Sequence, residues 1–401
     1  MTLLQHVQAR LASLDLECSI VGAELHVDRS PRPVKINFDA EWEAAFQQYK
    51  RARSIAFDID SRVLCHNNAF EVLVTRLTQA QGLAPEKYTL SDRLGNTVAV
   101  GTATPAYTLA YFDSAEYENF FKLRVRKRLL EANIFNRSVH QLLWMPNTAV
   151  YVHKGRKTPT DIKELALAAI RNTLFKIAVE QHDCIAVWKR RKVRLKTFYL
   201  EEPSEDQTIP KAKYDENVVS FYKVAKASPF ASQSFLAFYH VLEYYFLRIS
   251  ELLLHDRLTS MLNETNFHTS KGTLDKIIST VRGQDARRDE TEMLRNVLDR
   301  FVQEPDLIDF IQRFEDKCGE KIYSKKRQVF GEQVQITPIK DHALANSVKV
   351  LKHIRNAIVH SSDRYKREDC HIPLSESEDT IAEFVPLARF LAERVIFGTA
   401  A

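Results

Sequence analysis

The sharpest chemical signal in this 401-residue sequence is the run Arg355-Asn356-Ala357-Ile358-Val359-His360. It places a guanidinium, a carboxamide and an imidazole close together. His353, Asn356 and His360 stand at i, i+3 and i+7, which on a helix sets them near one line. Arg355 is about a quarter-turn from Asn356, and its long side chain can sweep toward that line. These are groups that cleavage of a phosphodiester needs. A neutral imidazole takes the proton of a ribose 2′-hydroxyl, and a protonated one gives a proton to the leaving 5′-oxygen. A guanidinium holds the phosphate in a bidentate fork and stabilises the charge that develops on it. The amide orients the imidazole or bonds the phosphate. No carboxylate cluster of metal-ligand type stands nearby in the sequence, which favours the acid–base route over a metal-dependent one. The competing reading is a polar helix edge that hydrogen-bonds a neighbouring loop.

The element that must carry these groups is a helix over 341–360. Leu344, Val348, Leu351, Ile354 and Ile358 recur at spacings of three and four and form one buried stripe, leaving Lys349, Lys352, His353, Asn356 and His360 largely off it. The surrounding sequence also reads as helical. A long apolar helix is expected over 230–254 with Pro229 at its start, then helices over 273–281, 291–302 and 306–317. A loop over 319–338 follows, and a last helix over 379–397 stops at Gly398.

The first half reads differently. Short β-branched runs at 19–27, 34–38, 54–59, 97–100 and 107–112, separated by turn formers such as Arg29-Ser30-Pro31, predict strands. One helix is expected over 160–179, followed by strands over 184–188 and 193–200. The acidic stretch Glu201-Glu202-Pro203-Ser204-Glu205-Asp206 is the expected linker. The fold class is therefore α+β: a mixed α/β domain over 1–200 and an all-α helical domain over 206–401.

Composition is that of a globular protein, with 45% hydrophobic and 27% charged residues. A formal charge of +5 is small for this length, so the clustering of bases matters more than their sum. Two runs stand out: Lys122-Leu123-Arg124-Val125-Arg126-Lys127-Arg128, and Lys189-Arg190-Arg191-Lys192-Val193-Arg194-Leu195-Lys196. The second lies beside Trp188 and Phe198-Tyr199, and basic side chains among aromatics suit an RNA backbone and stacked bases. Lys189, Arg190, Arg191, Lys192 and Arg194 are the RNA-binding candidates, against the plain reading of a solvated charged face. The five cysteines are widely spaced with no C-x-x-C pair, which points to reduced thiols rather than disulfides or zinc. No apolar run is long enough for a membrane span and the N-terminus lacks a signal-peptide core, so a cytoplasmic protein is expected.

Arg355-Asn356-Ala357-Ile358-Val359-His360 resembles the R-x4–6-H motif of the HEPN superfamily, in the form with Asn after the Arg and apolar residues before the His. Two other stretches, Arg248 to His255 and Arg364 to His371, match the loose motif but lack the Asn and the late-helix setting. The segment from Phe235 to Phe246 is similar to the long early HEPN helix, which often carries an acidic residue near the site; Glu243 holds that position, with a structural partner for an Arg or Lys as its other reading. The likeness is to the Apea-like HEPN proteins of bacterial defence, and it covers roughly the second half. It implies a HEPN helical bundle acting as a metal-independent, cofactor-free endoribonuclease with Arg355, Asn356, His360 and Glu243 as its catalytic set. It also implies a homodimer through the C-terminal domain, in which two motifs face each other and supply an acid and a base. The products would be a 2′,3′-cyclic phosphate and a 5′-hydroxyl. The implied role is an RNA-degrading effector of anti-phage defence or toxin type, held by an N-terminal domain that answers a phage-derived or nucleotide trigger. The alternative is a non-catalytic HEPN module for RNA binding or dimerisation. The sequence departs from some members in carrying Ser362, with Tyr365 the nearest tyrosine, where they have a nucleotide-accepting Tyr two residues after the His. Its first half also lacks the glycine-rich turn of a nucleotide-sensing Rossmann domain.

Overall fold

A computed structural model describes residues 1–28, 32–52, 55–77, 82–131, 135–155, 159–189, 200, 211–265, 267–286, 289–360 and 370–400. The chain is a mixed α+β protein with a sheet-containing N-terminal region and a largely helical C-terminal region. It divides into two compact units, Met1–Arg190 and Arg191–Ala401. The expected linker over 201–206 and the expected strand over 193–200 (Leu200 aside) lie outside the described residues.

The first unit opens with α1 (Leu3–Ala12), β1 (Cys18–Val21), β2 (Glu24–Val27), β3 (Val34–Asn37) and α2 (Ala40–Arg51). Thr2 caps α1 through a capping box and Asp39 caps α2. Then come β4 (Ile55–Asp58), β5 (Val63–His66), β6 (Ala69–Arg76), β7 (Tyr88–Ser91) and β8 (Thr97–Thr102). Helix α3 (Pro105–Asp113) leads to α4 (Glu116–Phe120), a π-helical turn over Phe121–Val125, and α5 (Arg126–Glu131). The unit ends with β9 (Asn136–Ser138), β10 (Asn147–Val152), α6 (Pro159–Glu180) and β11 (Ile185–Val187). Strands β1-β2-β3-β9 form one sheet, and β4-β5-β6-β10-β8-β7 a second, to which β11 adds through β6.

The larger sheet has two distinct faces because side chains alternate along each strand. Phe70, Val72, Val98, Val100, Ala149 and Tyr151 pack beneath Ile162, Ala166, Ile170, Leu174 and Ile177, the apolar stripe of α6. Strand β6 is buried on both faces and carries Glu71, which is fully buried. Its carboxylate accepts hydrogen bonds from the Thr104 backbone N–H, the Thr104 hydroxyl and the Thr148 hydroxyl. Burial pushes its pKa upward, and these donors only partly offset that.

The segment 107–112 is not a strand. It lies within α3, where the Thr104 hydroxyl accepts from Tyr107 N, Pro105 occupies the first turn, and every residue from Tyr107 to Phe112 is buried. An element buried all round has no apolar periodicity to read, so only the Thr-Pro cap marks it as a helix.

The second unit contains α7 (Glu216–Ala227), α8 (Ala231–Glu243), α9 (Phe246–Leu262), α10 (Lys271–Ala286), α11 (Glu290–Phe301) and α12 (Glu304–Cys318). A hairpin of β12 (Arg327–Val329) and β13 (Glu332–Val334) follows, then α13 (Ala343–Val359) and α14 (Ser377–Thr399). This unit is therefore not all-α. Phe330 and Gly331 both have positive φ, 46° and 80°, as a two-residue hairpin turn requires, and Val329 and Val334 send the hairpin into the core. The long apolar stretch 230–254 is likewise two helices. The chain turns at Tyr244-Tyr245, and the hydroxyls of that pair bond Asp215 and Thr399. Gly398 does not end α14 but lies within its last turn, where a Cβ would come 2.7 Å from Phe301 Cδ1.

Candidate functional site

Helix α13 positions the candidate groups because its apolar stripe anchors it. Leu344, Val348, Leu351, Ile354 and Ala357 are buried, and Ile358 is half-buried against the same core. Arg355 and Asn356 thereby lie off the buried stripe. Arg355 is half-buried, and its Nη1 donates to Asn356 Oδ1 at 3.2 Å. His360 is exposed and caps the C-terminus, its backbone N–H bonding Asn356 O at 2.9 Å. Among the described residues its imidazole has no hydrogen-bond partner. The Arg355–Asn356 bond and the His360 imidazole thus belong to the same end of α13.

Arg355 has a further partner that nothing local in the sequence marks. Its Nε lies 3.4 Å from Oε1 of Glu290, in the first turn of α11. The same oxygen accepts the Tyr239 hydroxyl at 2.7 Å. Three helices, α8, α11 and α13, thus converge on one carboxylate. Burial, followed by the hydrogen bond to Glu290 and that residue's charge, raises the Tyr239 pKa far above the usual tyrosine range, so its hydroxyl stays protonated. One turn before Arg355, Lys352 Nζ bonds Asp289 Oδ1 at 2.8 Å and Thr291 Oγ1 at 2.5 Å. Two cations spaced i, i+3 on α13 therefore grip the start of α11. The hydrogen bond from Lys352 holds Asp289 below the usual carboxylate range.

Glu243, the last residue of α8, is half-buried, and its Oε2 lies 3.9 Å from His240 Nε2. Its charge reaches Tyr239, but the carboxylate that Arg355 meets is Glu290. His353 shares the helical line of His360 yet has other neighbours. Its Nε2 is 2.8 Å from Val329 O and its Nδ1 is 3.4 Å from Glu332 Oε2, so the hairpin covers it.

The chain returns to the end of α13 at Cys370-His371. His371 N bonds Ala357 O at 2.9 Å, and buried His371 Nε2 lies 3.2 Å from Glu378 Oε1. Glu378 also accepts from the backbone N–H and hydroxyl of Ser232. Burial opposes its charge, but the bonds from His371 and Ser232 outweigh that and lower its pKa. This knot ties the start of α14 to the start of α8 and to the helix bearing Arg355. Ser362, Arg364 and Tyr365 lie outside the described residues, as do Arg190, Arg191, Lys192 and Arg194 of the second basic run. Lys189 is described and exposed, and the neighbouring Trp188 ring lies under the Arg62 guanidinium at 4.5 Å. In the first basic run Lys122 pairs with Glu118 across one helical turn. All five cysteines are half-buried and none forms a disulfide among the described residues, where no helix is long and apolar enough to cross a membrane.

No family model, no curated protein and no solved structure matches this chain.

Proposed function

We propose that the chain is a metal-independent endoribonuclease of HEPN type, with Arg355, Asn356 and His360 as the groups that meet RNA. The observation that carries this reading is the coupling of Arg355 to Asn356, on the helix end where the His360 imidazole stands free of described partners. In this reading the imidazole moves the proton of the attacking 2′-hydroxyl or of the leaving 5′-oxygen. The bond to phosphorus forms from the 2′-oxygen as the bond to the 5′-oxygen breaks, which leaves a 2′,3′-cyclic phosphate and a 5′-hydroxyl. Arg355 neutralises the phosphate charge that grows in the transition state. Glu290 and Tyr239 fix the guanidinium and are positioning residues, and Glu243 adds negative charge nearby without touching Arg355.

One motif per chain supplies one imidazole, whereas this transfer uses an acid and a base. A two-fold homodimer through the C-terminal unit would bring two together. In this reading the N-terminal unit restrains the enzyme until a phage-derived or nucleotide trigger arrives, and the protein is a cytoplasmic effector of defence or toxin type. A second reading, a non-catalytic RNA-binding or dimerisation module, draws support from the Glu290–Arg355 pair, since such a pair also serves as a tie between helices.

The deciding experiment incubates purified protein with total RNA in EDTA, wild type beside His360→Ala, and maps the fragment ends with kinase and phosphatase. Cleavage that persists in EDTA, leaves cyclic-phosphate ends and vanishes in the variant supports the enzyme. Equal activity in both proteins, 5′-phosphate ends, or activity that EDTA abolishes and Mg²⁺ restores overturns the proposed chemistry.

A further inference from the structure

The N-terminal unit contains a cavity of about 430 Å³ between α2 and the face of the larger sheet opposite α6. Strand register defines its floor. One row runs His66–Ala69–Val152–Thr97 across β5, β6, β10 and β8, and the next runs Leu64–Glu71–Val150–Ala99. Beyond them Thr148 pairs with Gly101. All of these point away from the α6 core, because their strand neighbours Phe70, Val72, Val98, Val100, Ala149 and Tyr151 fill it.

The space exists because small residues stand where a helix–sheet interface usually interdigitates large ones. Helix α2 lines it with Ala45, Gln48, Tyr49 and Ala52, a single stripe at i, i+3, i+4 and i+7. The sheet answers with Ala69, Ala99 and Gly101, and the start of α3 with Pro105 and Ala106. The wall at Gly101 is backbone: a Cβ there would lie 2.5 Å from Ala84 O and Glu86 N. Glu71 holds the shape by bonding Thr148 in the floor and Thr104, which caps α3. The cavity is therefore built by covalent and hydrogen-bonded structure rather than left by loose packing.

Its lining sorts by polarity. The centre of the floor is apolar at Ala69, Ala99 and Val150, with threonine hydroxyls around it, while the exposed rim carries the amides of Gln48 and Asn67, the Glu86 carboxylate and the Thr89 hydroxyl. His66 lies at the edge, and burial lowers its pKa, so its ring is neutral near pH 7 and offers one donor and one acceptor. Among the described residues the lining contains no Lys or Arg to pair with a phosphate charge. A flat floor of small side chains accepts the face of a planar ring, and amides and a carboxylate at its edge pair with the donor and acceptor pattern of a heterocycle.

We propose that this cavity binds an uncharged planar heterocycle of nucleobase or nucleoside size, laid on Ala69, Ala99 and Val150 and read at its edge by Gln48, Asn67 and Glu86. This inference stands on the first unit alone and is independent of the ribonuclease reading.

The test uses the full-length protein with adenosine, guanosine, cytidine and uridine, each beside its 5′-monophosphate, by calorimetry and thermal shift. At least one nucleoside should bind with one-to-one stoichiometry, raise Tm, and bind at least tenfold more tightly than its monophosphate. Ala99→Leu, which fills the floor, should abolish binding. Gln48→Ala, at an exposed position where folding is not at issue, should weaken it about tenfold, the loss of one edge contact. No binding by any of the four nucleosides at millimolar concentration overturns the proposal. So does tighter binding of the monophosphates, or wild-type affinity in a folded Ala99→Leu or in Gln48→Ala.

Discussion

Arg355 is held from a different helix by Glu290, whose Oε1 lies 3.4 Å from its Nε. Because that oxygen also accepts the Tyr239 hydroxyl, the guanidinium leans on a carboxylate that is itself fixed. Replacing Glu290 by Gln keeps the size but removes the charge that orients Arg355. The expected outcome is a fall of about tenfold in kcat for RNA cleavage with KM little changed, since positioning rather than binding is lost. Steady-state kinetics on a defined oligonucleotide decides it; wild-type kinetics in Glu290→Gln would remove Glu290 from the site.

Tyr239→Phe deletes one hydrogen bond to a charged acceptor from a buried side chain. The loss should be about 1–2 kcal/mol of stability, read by urea unfolding. In contrast, His360→Ala truncates an exposed residue past the helix end and should change stability by no more than about 0.5 kcal/mol. A strongly destabilised His360→Ala protein would show that the imidazole serves the fold.

If the nucleophile is a ribose 2′-hydroxyl, DNA of the same sequence should resist cleavage, and so should RNA with a 2′-O-methyl group at the scissile nucleotide. Gel analysis of matched oligonucleotides settles this. Cutting of the 2′-O-methyl substrate at the usual rate would exclude the transesterification.

Two buried carboxylates should give opposite pH dependences. The pKa of Glu71 is raised in the fold, so its contribution is full below the ordinary value of 4.5 and is lost as pH rises through the folded value. The pKa of Glu378 is lowered, so its contribution is present above 4.5 and is lost as pH falls through its folded value. Glu71→Gln should therefore flatten the decline of Tm on the alkaline side of 4.5, and Glu378→Gln the decline on the acid side. Thermal melts from acid to neutral pH test both; variants whose Tm profiles parallel the wild type would refute the assignment.

Gly101→Ala should destabilise the protein by about 1–3 kcal/mol, because the added methyl meets backbone that has no rotamer to change. Chemical denaturation measures it. An unchanged midpoint would mean that the chain at 84–87 yields easily.

What the sequence determined was whatever a local period or cap encodes. The stripe Leu344, Val348, Leu351 and Ile354 fixes which face of α13 is buried, and so turns Asn356 and His360 outward whatever surrounds them. Alternation along β3, and helical spacing in α6, α11 and α12, are legible for the same reason. Tertiary structure decided the rest. The partnership of Arg355 with Glu290 and Tyr239 joins three helices distant in the chain, and no local pattern marks a residue for a neighbour it meets only after packing. It also separated His353 from His360, which share one helical line, by folding a hairpin over the first. The helix over 107–112 escapes periodicity because burial on all sides erases it, and the break at Tyr244-Tyr245 has no Gly or Pro to mark it. The cavity beside α2 is the extreme case: an alanine reads alike whether it closes a tight contact or leaves a space, and only the elements packed around it decide which.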